Sequence, residues 1–440
     1  MRDVRVDFSG VPPRDWKAAT TAIQGAVNRV GENGGGRVVV GPGTYTVAAI
    51  RLPSGVELHL DEKAMLIATH AFEGYPEPAW LRVVWADDAT DVALTGAGAI
   101  DCQGKFRKAA EPEGPPFPAG VMAGGCYRNL NSPRPVFFHG CRHVRVDGVR
   151  LLNSGEWHCY LLCCDHALID GVTIRQTAHS VWTDGIDLES CRDVVVRNCD
   201  VETGDDAVCI KTGKRGRARS SHNILVEDCR LVSETNCFKI GNEVSLDVSN
   251  VTVRRCRMEA HPDREAPGPF GGISIHSADG ATVSNIHVSD IEIFDARAPI
   301  FVKLGRGGGY NQDNPPDSAM RNIVLENITA RVTDAKDQAG ITSSITGYLG
   351  RCVENVTLRD IDLEVQGGQI PDPGPVPDIV DRYLETPCFG VLPAFGLYAR
   401  FVRNLELERV CFQRRQADER PATVFEAVEG VKEGYETGEA

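Results

Sequence analysis

Nine copies of one short pattern recur along the chain, and this repeat limits the possible folds more than any other feature. Each copy is a polar anchor followed by two short alternating strands around a two-residue bend, as in HVRVDGVRL, NVTVRRCRM and NIHVSDIEI. The anchors are His143, His166, Asp193, Asn223, Asn250, Asn285, Asn322, Asn355 and Asn404. Successive anchors lie 23 to 49 residues apart, which indicates a constant core joined by loops of variable length.

Alternation within a copy places one set of side chains inside and the other outside. A single copy cannot bury its inner set without a neighbour above and below it. The repeat therefore predicts an all-β fold, a parallel β-helix of about ten coils. A propeller is less favoured, because each of its blades needs four strands within roughly 40 to 45 residues.

The two ends of the solenoid need protection for their outermost strands. Residues 14–30 have an N-cap at Asp15 and helical apolar spacing, which predicts an N-terminal capping helix. The Gly- and Pro-rich stretch 367–393 is expected to be a long loop over one face. We expect residues 1–413 to form one β-helix domain and residues 414–440 an acidic tail or cap.

The formal net charge of -14 argues against a nucleic-acid surface, because phosphate binding requires clustered lysines and arginines. The N-terminal MRDVRVDFSG does not have the pattern of a signal peptide, and apolar runs of membrane-spanning length are absent from the sequence. We therefore expect a cytoplasmic protein with neither membrane nor nucleic-acid partners. The sequence leaves its oligomeric state open.

The fifteen cysteines are an odd number, which favours reduced thiols over a disulfide framework. Cys199, Cys229 and Cys256 share one place, six residues after their anchors. We expect them to be small apolar side chains stacked in the core.

Each coil should contain one further strand, and five of these are TDGIDLE, DDAVCIK, NCFKIGN, GGISIHS and PIFVKLG. Aligning their inward residues predicts an outward column of Asp187, Cys209, Lys239, Ser274 and Lys303. Asp184, Asp205 and Asp206 stand at the start of the first two of these strands. An Asp-Asp pair alone is usually a solvated turn, but stacking on Asp184 favours a site. Three crowded carboxyl groups raise at least one pKa, which supplies a general acid beside ionised bases.

At this point a family resemblance becomes specific. TDGIDL, then GDDAVCIK with Asp205 following Asp184 by 21 residues, resembles the polygalacturonase family, glycoside hydrolase family 28. The likeness extends from GGGRVVVGPGTY through SPRPVFF and NSGEWHCY to the end of the repeats. It implies a right-handed, pectin-lyase-like β-helix and inverting hydrolysis, with Asp205 as general acid and with Asp184 and Asp206 activating water. Because carboxyl groups perform both tasks, we expect no cofactor and no metal.

The chain departs from the family at two positions. Where the family has Gly-His-Gly before Ile-Gly, this chain reads TNCFKIG, so Asn236 takes the place of the histidine. The family's Arg-Ile-Lys, which binds a substrate carboxylate, matches Phe301, Val302 and Lys303. The lysine is retained and the arginine is lost.

Other side chains are candidates for substrate binding. Lys239 is expected in the same outward column as Lys303, with Lys211, His276 and Arg306 nearby, and together they predict a basic pocket. A solvated row of lysines is an equally good interpretation of these residues. The remaining candidates, Trp182 and His158, are expected at strand ends bordering the same face, although core packing is the commoner fate of a tryptophan.

The predicted function is hydrolysis of galacturonate-containing pectic oligosaccharides or polysaccharides. We expect exo action, with loops 103–133 and 366–393 closing one end of the groove. Three alternatives remain: a β-helix that binds carbohydrate without catalysis, a hydrolase for a different sugar, and a polysaccharide lyase, which would need calcium and a basic residue.

Overall fold

The computed structural model describes residues 3–12, 14–76, 81–104, 133–176, 182–213, 215–262, 271–307, 316–333, 339–381 and 384–439. Parallel strands wind through them as a β-helix with three faces, which confirms the predicted fold class. Each coil passes through faces 1, 2 and 3 in that order, and every strand pairs with the equivalent strand of the next coil. Short 3-10 helices span Phe72–Gly74 and Thr386–Phe389.

Face 1 consists of β4 (Ile50–Arg51), β7 (Arg82–Asp87), β10 (Arg134–His139), β13 (Cys159–Leu162), β16 (Ile186–Glu189), β19 (Val208–Thr212), β22 (Asn236–Val244), β24 (Gly271–Ser277), β26 (Ala298–Leu304), β28 (Ser343–Thr346) and β31 (Thr423–Glu429). Face 2 contains β1 (Asp3–Arg5), β2 (Gly36–Val40), β5 (Val56–Leu60), β8 (Thr90–Gly96), β11 (Arg142–Asp147), β14 (Asp165–Asp170), β17 (Arg192–Arg197) and β20 (Ser221–Glu227). Face 3 contains β3 (Gly43–Val47), β6 (Ala64–Ala68), β9 (Ala99–Asp101), β12 (Arg150–Leu152), β15 (Thr173–Arg175), β18 (Asp200–Glu202), β21 (Arg230–Ser233) and β32 (Tyr435–Glu439). Later strands bend from face 2 into face 3: β23 (Val248–Ala260), β25 (Thr282–Phe294), β27 (Ala319–Arg331), β29 (Val353–Gly367) and β30 (Leu397–Gln416), the last of which begins on face 1.

The nine anchors share a left-handed backbone conformation, with φ between 53° and 58°. Asparagine and aspartate adopt this conformation more readily than most residues, which explains the polar anchor of the repeat. From Asp193 to Asn404 the anchor side chains also form a ladder, in which each asparagine amide donates to the anchor of the preceding coil over 2.8–3.3 Å. The anchors therefore both turn the chain and keep successive coils in register.

The interior is one continuous apolar core. Ile186, Val208, Phe238 and Ile273 stack in one fully buried column. The described cysteines are all free thiols, and eleven of them are buried. This confirms the expectation of unpaired thiols for every cysteine except Cys126, which lies outside the described residues.

The two ends of the solenoid are closed differently. Helix α1 (Trp16–Glu32) begins after Asp15, whose Oδ1 accepts a hydrogen bond from the Ala18 backbone N–H at 3.0 Å, and it buries one apolar side. At the other end, β31 and β32 pair with β30 and form the last coil of the described chain. In the described part of the chain, the helices are too short or too polar to traverse a lipid bilayer.

Candidate active site

Three aspartates meet on the outer side of face 1. Asp184 comes two residues before β16, and Asp205 and Asp206 follow a bend that ends β18. Carboxylate oxygens of Asp184 and Asp206 and the Cys209 sulfur all lie within 4.8 Å of one another. The Thr235 hydroxyl group bridges Asp205 and Asp206. Its oxygen lies 3.0 Å from Asp205 Oδ1 and 2.8 Å from Asp206 Oδ1. The structure thus brings together the three residues predicted as catalytic.

Asp205 is the one residue of the three that is partly exposed. Its Oδ2 accepts a hydrogen bond from the Trp182 backbone N–H at 2.7 Å, and its Oδ1 accepts one from the Asp206 backbone N–H at 2.9 Å. Loss of solvation, reinforced by the charges of Asp184 and Asp206, raises the pKa of Asp205 well above its usual range. Asp205 is therefore suited to hold a proton near neutral pH.

Asp206 has the opposite character. Burial opposes its ionisation, but Lys239 and Lys211 together with hydrogen bonds outweigh burial and lower the pKa of Asp206. Its Oδ2 lies 3.0 Å from Lys239 Nζ, and its Oδ1 accepts a hydrogen bond from Asn236 Nδ2 at 2.8 Å. Two adjacent aspartates thus have pKa values moved in opposite directions, an arrangement that separates an acid from a base.

Asp184 belongs to a buried ion-pair group. Lys211 Nζ lies 2.9 Å from Asp184 Oδ2 and 2.8 Å from Asp187 Oδ1. Burial raises the pKa of Asp184. Burial and the nearby charge of Asp184 raise the pKa of Asp187 well above its usual range. The two carboxyl groups in turn raise the pKa of Lys211 despite its burial, so its ammonium stays charged.

The second lysine joins the cluster to a distant part of the chain. Lys239 Nζ lies 2.6 Å from Glu385 Oε1, and Asn236 Nδ2 donates to Glu385 Oε2 at 3.2 Å. Asn236 Oδ1 accepts from the Ser274 hydroxyl at 2.6 Å. Asn236 therefore uses its amide to hold carboxyl groups of the protein, which makes it a positioning residue for Asp206.

Two other predicted residues also contact the aspartates through the backbone. His158 is fully buried, and its Nδ1 lies 3.0 Å from the carbonyl oxygen of Asp184. Burial lowers the pKa of His158 to about 4, so the ring is neutral and donates from Nδ1 to that carbonyl. Trp182 is half-buried and contributes its backbone N–H to Asp205. His158 supports Asp184 from behind and does not line a sugar site.

The predicted common column of Lys239 and Lys303 is wrong. Lys239 pairs with Ser274, but Ser274 then pairs with Phe301, and Lys303 pairs with His276. The strand β26 is displaced by two residues from its predicted alignment. A two-residue shift keeps every side chain on its own side of the sheet, so alternation could not reveal it.

The remaining basic candidates lie on later coils than the aspartates. Lys303 is buried, its Nζ donates to the carbonyl oxygens of Leu304 and Gly347, and burial lowers its pKa to about 8. His276 is also buried, with Nδ1 3.1 Å from Asn242 Oδ1, and burial and Lys239 lower its pKa well below the usual range. Arg306 is exposed, 3.7 Å from Asp317. Lys303 and Arg306 thus have partners other than the three aspartates.

Face 1 is covered on the C-terminal side of the aspartates by residues 376–381 and 384–392, which we call the strap. Its side chains Val376, Ile379, Leu384, Phe389 and Leu392 pack on Ala278, Ala298, Phe301 and Tyr398. Hydrogen bonds also secure it, including Asn242 Nδ2 to Leu384 O at 3.0 Å and the Arg306 backbone N–H to Val380 O at 2.7 Å. The described part of the predicted loop 366–393 thus covers this part of face 1. The other predicted loop, 103–133, lies almost entirely outside the described residues.

Aromatic and cationic side chains lie on the N-terminal side of the aspartates. Trp85, Phe137 and Tyr160 precede Asp187 in the outward column. The Arg134 guanidinium carbon lies 5.3 Å from the Tyr160 ring centre. The Trp157 ring has Lys211 Nζ at 4.0 Å and the Arg215 guanidinium carbon at 5.2 Å. The two halves of face 1 therefore differ in chemistry.

Sequence reasoning missed two members of the cluster as site residues. Thr235 immediately precedes Asn236, so stacking on the Asp205 coil could have indicated it. Glu385 lies 146 residues from Lys239 in a loop without repeat pattern, so no local signal identified it.

Asp184, Asp206 and Cys209 are the one group of potential metal ligands found in the described ranges. Two ammonium groups already compensate the aspartates, and burial raises the pKa of the Cys209 thiol well above its usual range.

Known proteins resemble this chain over most of its length. Residues 33–372 match the family model of glycosyl hydrolases family 28. A polygalacturonase of Medicago sativa is 26% identical over 381 residues, which are 82% of this chain and 81% of that protein. An exopolygalacturonase of Zea mays is 23% identical over 368 residues, 79% of this chain and 80% of that protein.

A solved structure resembles the fold as well. The exopolygalacturonase from Thermotoga maritima has a TM-score of 0.66 to this chain, at 21% identity, covering 93% of this chain and 91% of that one. This likeness shows the shared β-helix. Because the family model spans well over half of the sequence, the chain belongs to glycosyl hydrolases family 28.

Proposed function

We propose that the protein hydrolyses galacturonate-containing pectic oligosaccharides by a single, inverting displacement. The observation that carries this proposal is the clustering of Asp184, Asp205 and Asp206 on face 1, in which Lys239 pairs with Asp206, Lys211 pairs with Asp184, and burial raises the pKa of Asp205. Glycoside hydrolysis needs such a cluster, because one carboxyl group must deliver a proton while another accepts one.

Asp205 is the proposed general acid. It is partly exposed, so a glycosidic oxygen can approach it, and its raised pKa keeps the proton available. Transfer of this proton to the leaving oxygen accompanies cleavage of the bond between that oxygen and the anomeric carbon.

Asp184 and Asp206 are proposed to hold the attacking water. Their carboxylate oxygens lie within 4.8 Å of each other, a separation at which one water can donate a hydrogen bond to each. The water oxygen attacks the anomeric carbon from the side opposite the leaving group, and its proton passes to the aspartate pair. The first product then has the inverted anomeric configuration.

Support for a uronate substrate comes from the N-terminal half of face 1. Arg215, whose side chain is 37% exposed, lies there beside Trp157, and guanidinium groups suit carboxylates while aromatic rings suit sugar faces. The strap supports exo action, because it closes the face on the other side of the aspartates and a long chain could not continue through it.

Hydrolysis of a ladder of oligogalacturonides tests the proposal. Asp205→Asn is expected to reduce kcat by at least about 100-fold, since general acid catalysis typically contributes factors of 10² to 10⁴. Proton NMR of the first product is expected to show inversion, and product profiling is expected to show release of short products from one end. A wild-type protein that binds the ladder without turnover would support a carbohydrate-binding module, and an ultraviolet-absorbing unsaturated product would support a lyase.

A further inference from the structure

We infer that Glu385 makes the sugar position over Lys239 selective for a neutral sugar, so that the preferred substrate carries its carboxylate on only one side of the scissile bond. This inference rests on the proposed function and specifies its substrate. It concerns a residue of the strap that reaches into the site from outside the repeats.

Glu385 binds Lys239 and Asn236 in the way that a substrate carboxylate would. Both of its oxygens are used, since Oε1 lies 2.6 Å from Lys239 Nζ and Oε2 accepts from Asn236 Nδ2 at 3.2 Å. Its side chain is only 9% exposed. An internal carboxylate thus takes the cation and the amide that face this part of the site.

A uronate at the same position would add an uncompensated charge. Lys239 already pairs with Asp206 and Glu385, and Lys211 pairs with Asp184 and Asp187. Each ammonium group therefore has two carboxyl partners before substrate arrives. A further carboxylate beside Lys239 would meet the charge of Asp206 in a poorly solvated site, which disfavours it. Hydroxyl groups of a neutral sugar carry no such penalty and can donate to the carboxylates.

Glu385 is also held in place by its neighbours. Leu384 makes two hydrogen bonds with the Asn242 side chain, at 3.0 and 3.2 Å, and Phe389 packs against Phe301 with ring centres 6.4 Å apart. These contacts flank Glu385 on both sides. A substrate carboxylate would have to displace a packed segment to reach Lys239.

On the N-terminal half of face 1, Arg134 pairs with Glu156, and Arg215 Nη1 lies 3.6 Å from Glu189 Oε2, so these cations also have carboxylate partners. Arg134 and Arg215 lie beside the Trp157 ring, away from Glu385. Because the proposed substrate contains galacturonate and Glu385 disfavours a uronate beside Lys239, we place the uronate on this side, where the Arg215 side chain is 37% exposed, and the neutral sugar on the Lys239 side.

A panel of four disaccharides tests the inference. It comprises digalacturonide, the two compounds in which one of its carboxyl groups is reduced to a hydroxymethyl group, and the fully reduced compound. For the wild-type protein, one singly reduced compound is expected to have a kcat/KM at least about tenfold above that of digalacturonide. Glu385→Gln keeps the shape of the side chain but removes its charge, and is expected to lower this ratio at least about fivefold. Asp378→Asn, which removes an exposed charge from the same strap, is the matched control and is expected to leave the ratio unchanged.

The outcomes separate the two proposals. If digalacturonide is the best substrate and Glu385→Gln leaves the ratio unaltered, the inference is overturned while galacturonide hydrolysis stands. If the fully reduced compound is best, selectivity for a neutral sugar is retained and the galacturonate substrate is rejected. If none is cleaved, calorimetric titration of digalacturonide decides: tighter binding by Glu385→Gln than by wild type supports the inference, and equal binding overturns it. If Glu385→Gln does not fold, the wild-type ratio decides.

Discussion

Lys239 Nζ lies 2.6 Å from Glu385 Oε1 and 3.0 Å from Asp206 Oδ2, so one ammonium group links a proposed catalytic aspartate to the strap. This triad explains why Asp206 stays ionised although it is buried, and it connects substrate choice to the protonation state of the site.

The first prediction concerns the pH dependence of kcat/KM. The profile should be bell-shaped, because activity falls as Asp206 is protonated at low pH and as Asp205 loses its proton at high pH. Lys239 lowers the pKa of both residues. Replacing Lys239 by Gln should therefore move both limbs of the profile to higher pH. The exposed Lys432→Gln is the control. An unmoved acid limb in Lys239→Gln would contradict the link between Lys239 and Asp206.

The second prediction concerns stability. His158 has a folded-state pKa of about 4, below its unfolded value of about 6.5, so its contribution to stability is complete above pH ~6.5 and is lost as pH falls toward 4. In that window wild type should lose on the order of 3 kcal/mol more unfolding free energy than His158→Gln, which does not titrate. Urea unfolding at several pH values measures the difference. Parallel curves for the two proteins would show that His158 is not buried and neutral.

The third prediction tests the reassigned Lys303. Because its ammonium binds backbone carbonyls beneath the strap, Lys303→Met should change kcat/KM by less than about tenfold, ~1.4 kcal/mol of transition-state stabilisation. The folded-state pKa of about 8 lies below the ordinary value of 10.5. Wild type should therefore gain stability relative to the variant as pH rises from 8 to 10.5. A loss of activity greater than 100-fold without such a trend would restore Lys303 as a substrate-binding residue.

The fourth prediction is that a chelator leaves activity unchanged. Proton transfer and water activation are both assigned to carboxyl groups, and the ammonium groups of Lys211 and Lys239 compensate the charge that a metal would otherwise neutralise. Turnover is measured with EDTA and again after adding excess calcium. Activity that disappears and then returns would refute the metal-free mechanism.

Features with a short period could be predicted from the sequence. The polar anchors recur because a left-handed backbone conformation favours Asn and Asp, and the inward columns follow from alternation. The β-helix and the shared face of Asp184, Asp205 and Asp206 were therefore both predictable. Local patterns sufficed because each coil repeats the same bend and the same burial.

Contacts between distant parts of the chain were decided only by the tertiary structure. The two-residue displacement that moves Lys303 away from the Lys239 column leaves alternation intact, so the sequence pattern is the same for both registers. Glu385 reaches Lys239 across 146 residues, along a loop path that packing against Phe301 and Tyr398 defines. The sequence by itself determined the scaffold and the acidic cluster, because both arise from local periodicity. Only the tertiary structure decided which charged groups form ion pairs, because the pairing depends on the position of an irregular loop in the folded chain.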